Sequence, residues 1–119
     1  LYKITLMKLF EGNSFAEFRE RVESKDIEVA EAIYNSIKQG YNKKKNEVTA
    51  FEFIEKGGND IYGFSLSREQ WKMALNTCLE IYTEQELYED CSNIINLINT
   101  LSYENREEGH NKKKRITSL

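Results

Sequence analysis

Residues 47–67, EVTAFEFIEKGGNDIYGFSLS, decide the fold. Thr49, Phe51 and Phe53 alternate with Ala50, Glu52 and Ile54, and the same period of two returns in Tyr62, Phe64 and Leu66. Side chains of an extended strand point to opposite faces in turn, so each run buries one face. Between the runs lie Lys56, Gly57, Gly58, Asn59 and Asp60, whose glycines permit the positive φ of a tight reversal. The stretch predicts an antiparallel β-hairpin with an aromatic face.

On both sides of the hairpin the period becomes helical. Ser14 with Glu17 three residues on is a capping-box signal, followed by Phe15, Phe18 and Val22 on one face. Lys25 and Asp26 interrupt, and Val29, Ala30, Ile33 and Ile37 then define a second helix expected to stop at Gly40. Downstream, Ser67 with Gln70 opens a helix holding Trp71, Ala74, Leu75, Cys78, Leu79 and Tyr82 inward. Thr83 with Glu86 opens another, with Leu87, Cys91, Ile94, Ile95, Ile98 and Leu101 inward. A junction at Tyr82 and Thr83 is short enough to force an antiparallel pair. Leu1 to Phe10 fits two periods. Tyr2, Ile4 and Leu6 alternate as in a strand, which would add a third strand to the hairpin, while Ile4, Met7 and Phe10 also share one helical face.

The fold expected is therefore α+β: two N-terminal helices, a central antiparallel hairpin with or without a third, N-terminal strand, and a C-terminal antiparallel helix pair. At 119 residues the chain has the size of one domain. That domain is assigned to residues 1–102, and the charged stretch 103–119 is read as a basic, mobile tail. The absence of Pro removes polyproline ligands and proline-rich linkers. Lys exceeds Arg, Asn and Ile are abundant and Ala is scarce, the bias of an AT-rich genome.

The inventory of chemically capable residues is short. The single histidine, His110, falls in the expected tail, where nothing rigid would hold a general base. Zinc needs about four Cys or His ligands, and the chain has Cys78, Cys91 and His110. Gly57 and Gly58 lack the Lys and Ser/Thr of a phosphate loop. Glu80 and Glu84 form the best carboxylate pair, which helix-end electrostatics explains more simply than a metal or acid/base role. No enzyme, cofactor or metal site is expected.

Charge resolved along the chain is more informative than the total of -3. Residues 1–46 carry nine basic and seven acidic side chains, residues 47–102 three and ten, and residues 103–119 five and three, giving +2, -7 and +2. Glu84, Glu86, Tyr88, Glu89 and Asp90 form an acidic surface suited to a basic protein partner. Two basic clusters, Lys43, Lys44 and Lys45 and then Lys112, Lys113, Lys114 and Arg115, are the candidates for polyanion contact, and the aromatics of the hairpin for base stacking. Self-association is expected through the last helix, where Ile94, Ile95, Ile98 and Leu101 offer more apolar surface than one chain would cover.

The hairpin, the Ser-capped helix with Trp71 and the Cys-bearing helix resemble in outline small accessory proteins of bacteria, phages and mobile elements. That outline rests on no diagnostic motif, and no residue role follows from it. No stretch of about 20 apolar residues, no secretory leader before Glu11 and no disulfide framework are present in the sequence, so an intracellular location away from the membrane is expected. The expected function is a non-enzymatic protein-interaction module, a small regulator, adaptor or inhibitor, docking through the acidic helical pair. A nucleic-acid accessory protein using the two basic clusters is the alternative.

Overall fold

The computed structural model describes the backbone of residues 8–117 and the side chains of residues 8–104. The elements run β1 (Leu9–Gly12), α1 (Phe15–Glu23), α2 (Ile27–Asn42), β2 (Glu47–Glu55), β3 (Ile61–Ser67), α3 (Arg68–Glu84) and α4 (Tyr88–Thr117). The α+β arrangement has the predicted hairpin at its centre and the predicted helix pair at its C-terminal end.

β2 and β3 pair antiparallel, with Phe53 opposite Tyr62, Phe51 opposite Phe64 and Val48 opposite Leu66. Gly58 N donates to Glu55 O at 2.9 Å, and Gly57 has φ 82 within that turn. The alternation expected along β2 holds from Phe51 to Ile54 but changes phase before it. A register shift between Thr49 and Phe51 is a β-bulge, so Thr49 shares a face with Ser65, not with Phe51. Ala50 at the bulge is buried, and its carbonyl accepts from Ser36 Oγ of α2 at 3.0 Å. One helical hydroxyl thus satisfies the carbonyl that the irregular ladder exposes.

β1 adds the third strand at residues 9–12, parallel to β2 with Phe10 opposite Phe53, in a sheet ordered β1-β2-β3. The alternation of Tyr2, Ile4 and Leu6 lies outside the described residues. Phe18 of α1 stacks on Phe53 at 4.6 Å between ring centroids and meets Phe51 at 5.6 Å, and Phe10 meets Phe51 edge-on at 5.4 Å. Clustered rings of this kind contribute roughly 0.5–1.5 kcal/mol per pair beyond the area they bury.

α2 starts on Asp26, whose side chain accepts from Glu28 N and Val29 N at 2.8 and 3.3 Å. Its end differs from expectation. Gly40 does not stop the helix: a Cβ there would lie 2.3 Å from Val48 Cγ1 and 3.4 Å from the Trp71 ring, so glycine is the residue that lets α2, β2 and α3 meet. The helix ends instead through Lys44 at φ 57, with Lys45 N donating to Gly40 O at 2.9 Å and Lys44 N to Tyr41 O at 3.1 Å. These two bonds form a Schellman motif built on lysine.

Trp71, Leu75, Cys78, Ile81 and Tyr82 of α3 and Cys91, Ile94 and Leu101 of α4 are buried. Trp71 Nε1 donates to Leu66 O at 3.1 Å, which seats the indole under β3. The Ser67 amide donates to Gln70 Oε1 at 2.9 Å, as the predicted capping box requires.

The stretch read as a tail begins inside α4. α4 continues to Thr117, and Glu104 accepts from Arg68 Nη2 and from the Tyr41 hydroxyl, both at 2.8 Å. Pro is absent and Gly109 costs only about 1 kcal/mol in a helix interior, so nothing in the sequence forces a stop at Ser102. Among the described residues no helix is long and apolar enough to cross a membrane.

Candidate functional site

The junction between α3 and α4 carries the acidic surface, and its geometry differs from the one the sequence implied. Thr83 caps no helix: its Oγ1 donates back to Leu79 O at 2.7 Å and lies 3.5 Å from Cys91 Sγ. α3 therefore runs on to Glu84, and the reversal falls at Gln85, Glu86 and Leu87. Leu87 N donates to Tyr82 O and Glu86 N to Thr83 O, each at 3.0 Å, with Glu86 at φ 59. This is a second Schellman motif, with glutamate in the left-handed position that glycine usually takes. The turn that presents the acidic residues is therefore fixed by main-chain hydrogen bonds.

Glu84, Glu86, Tyr88 and Glu89 are exposed, and Asp90 is half-buried. Their environments are not equivalent. Lys25, itself at φ 63 after α1, donates from Nζ to Glu84 Oε1 at 3.1 Å. That bond and the charge of Glu84, with a smaller contribution from Glu80, raise the Lys25 pKa. Glu84 is thus paired with an ammonium of the same chain. After burial itself, the Asp90 charge raises the Tyr34 phenol, and it adds to the burial and to the Glu31 charge that raise the Tyr82 phenol. Glu86 and Glu89 remain as outward carboxylates with no ion-pair partner among the described residues. Acidic residues in the first turn of α4 also stabilise the positive end of that helix.

Apolar surface accompanies the charge. Tyr88, Ile95 and Tyr103 are 63, 43 and 62% exposed. At 100° per residue they fall within an arc of roughly 80° on the side of α4 away from Ile94 and Leu101. Of the four residues expected to drive self-association through this helix, Ile94 and Leu101 are in the core, Ile98 packs against it, and Ile95 alone faces out. The surplus apolar surface anticipated there is mostly spent inside the monomer.

The basic candidates separate from the aromatic ones. Lys43, Lys44 and Lys45 are exposed on the turn after α2. Lys43 and Lys45 border an open cleft of about 600 Å³ between α2 and the first half of β2, which Lys8, Glu28, Glu31 and Glu47 also line. A lining of three cations and three carboxylates has no preferred sign. Of the hairpin aromatics, Phe51 and Phe53 are 2 and 1% exposed and present no faces on which bases could stack, whereas Tyr62 and Phe64 are 45 and 40% exposed. The side chains of Lys112, Lys113, Lys114 and Arg115 lie outside the described residues, on a backbone that is helical to Thr117.

Burial pushes the Cys78 thiol up to about 12, and its Sγ lies 3.4 Å from Ala30 O as a packed core group. Among the described residues no group of three or more His, Cys, Asp or Glu is arranged to hold a metal ion.

Sequence reasoning missed Lys25, which meets Glu84 across 59 positions, and the Arg21–Asp26 pair at 2.8 Å beside it. No local signal marks the first. The second had one, an Asp immediately before an apolar-periodic run. Comparison with protein-family models, with curated proteins and with solved structures found no match.

Proposed function

We propose that this chain is a non-enzymatic protein-interaction module that docks a partner bearing a basic surface through the α3–α4 junction and the outer side of α4. The observation that supports the reading most is the pairing of outward carboxylates at Glu86 and Glu89 with exposed Leu87 and Tyr88 on a turn locked by two main-chain hydrogen bonds. A preset turn costs little ordering entropy on binding, and charge flanking an aromatic gives both attraction at a distance and contact area. A role as a small regulator, adaptor or inhibitor, of phage or mobile-element type and inside the cell, agrees with the composition and the absence of a catalytic constellation in the sequence.

The test is capture with the full chain as bait and identification of what is retained, repeated with Glu86→Lys, Glu89→Lys and Asp90→Lys combined. The expected result is one protein with a basic surface, held less well at high salt and lost from the triple variant. Equal recovery by both baits removes the reading.

A nucleic-acid accessory role is the second reading, favoured by the exposure of all three side chains at Lys43, Lys44 and Lys45. Binding to single- and double-stranded DNA and RNA at two salt concentrations tests it, since phosphate-driven affinity falls steeply with salt. No binding at low salt ends it.

A further inference from the structure

The sheet has two edges, and they differ in protection. β1 is four residues long and carries Glu11, with Lys8 beside it, as guarded edges commonly do. β3 is seven residues, Ile61–Ser67, with no charge and no proline. Its only neighbour in the sheet is β2, so its outer row of amides and carbonyls has no strand partner among the described residues. The irregularity that could have twisted the edge away lies in β2. Along this edge Ile61, Tyr62 and Phe64 are 54, 45 and 40% exposed. Phe15, 48% exposed, extends the patch with its ring 5.9 Å from that of Tyr62.

We infer that β3 pairs antiparallel with β3 of a second copy about a twofold axis at Phe64, joining two three-stranded sheets into one of six strands. Three observations select a second copy as the occupant. Full overlap of strand 61–67 with itself centres on Phe64, so Phe64 meets its counterpart, Tyr62 meets Leu66, and Gly63 meets Ser65. Each Phe64 already lies flat against Phe51, with centroids 4.8 Å apart and planes 3° from parallel, so the pairing continues an aromatic ladder from one sheet to the next. The charges also agree. The strand is neutral, so a twofold contact along it sets no like charges against each other, where an isologous contact often suffers them. The acidic helical side of this chain would repel its own copy, and this edge does not.

The contact is small. At roughly 150–250 Å² for a whole aromatic side chain, the exposed fractions of Phe15, Ile61, Tyr62 and Phe64 give about 350 Å² of side-chain surface per copy. Two copies reach about 700 Å² before main-chain burial, below the ~1,200 Å² of stable interfaces, so the dimer is weak and concentration-dependent.

Sedimentation equilibrium of the full chain from about 10 μM to about 1 mM tests it, the range in which contacts of this size populate. The weight-average mass is expected to climb towards twice that of the chain. Ile61→Lys and Ser65→Lys, both at exposed positions and both checked for unchanged circular dichroism, should weaken association at least about tenfold by placing charge on the pairing edge. Ile95→Lys on α4 should leave it unchanged. A wild-type chain that stays monomeric throughout overturns the inference. So does association that survives both β3 variants, or that Ile95→Lys abolishes.

Discussion

The α3–α4 junction and the outer edge of β3 are both exposed and both carry aromatic surface, yet they are built on opposite principles. At the junction, main-chain donors and acceptors are consumed inside the turn, and recognition is left to side chains, chiefly carboxylates. At the β3 edge there is no charge, and the outward main-chain row has no strand partner among the described residues. The first surface should respond to salt, the second to a neighbouring strand. On the two proposals above, a single small domain presents two non-competing surfaces, one excluding its own copy by charge and one admitting it.

The largest effect expected in this comparison tests how far the edge is part of the core. Phe51 touches Phe10, Phe18 and Phe64, so Phe51→Ala should cost about 3–5 kcal/mol in denaturant unfolding. Tyr88→Ala at the junction should stay within about 0.5 kcal/mol. Equal effects would remove the distinction between an edge rooted in the core and a turn laid over it.

Next in size is Gly40→Ala, where the added methyl meets Val48 and Trp71. Overpacking costs about 1–3 kcal/mol, set against about 1 kcal/mol gained in helix propensity, so net destabilisation in thermal unfolding is expected. Neutral behaviour would show that α2 and the sheet can part without loss.

On the junction side, Asp26 caps α2 and pairs with Arg21, next to the Lys25 that reaches Glu84. Asp26→Ala should cost about 1–2 kcal/mol. Desolvation alone would raise the Asp26 pKa, but the Arg21 bond and the Val29 and Glu28 amides outweigh it, and the net shift is downward. A depressed carboxyl stabilises fully above its unfolded value, about 3.9, and that contribution is lost as pH falls through the folded pKa. The gap between wild type and Asp26→Asn, measured by unfolding from pH 7 to pH 2, should therefore narrow below about pH 4. A constant gap would assign the whole effect to shape.

The smallest effect has the opposite sign. Glu86 holds φ 59, which glycine adopts without steric cost, so Glu86→Gly should raise stability by up to about 1 kcal/mol while weakening partner capture. Lower stability would mean that the glutamate side chain supports the turn.

The hairpin, the inward residues of α2 and α3 and the Ser67–Gln70 cap were legible because each depends on spacing within one element, whereas Leu87 and Ile95, expected inward on the last helix, are exposed. The bulge at Ala50 was not legible, since the hydroxyl that takes up its carbonyl, Ser36, lies on α2, 14 residues away. Gly40 and Gly57 look alike in a sequence, but one answers a close approach from Val48 and Trp71 and the other a positive φ. Thr83 and Glu86 matched a capping pattern, and Thr83 instead bonds Leu79 within a continuing helix. The acidic residues of the candidate site were readable as a cluster. Their inequality was not, because Lys25, which meets Glu84, comes from the loop between α1 and α2, and Tyr34, whose phenol Asp90 affects, comes from α2.

The most direct measurement of the central claim is the footprint of the captured partner on the isotope-labelled chain, read from amide shifts in two-dimensional NMR. The account predicts the largest changes between Glu84 and Ile95, fading with salt, and none at Ile61–Ser67. Changes centred on Lys43–Lys45 or on β3, with Glu84–Ile95 silent, would contradict it.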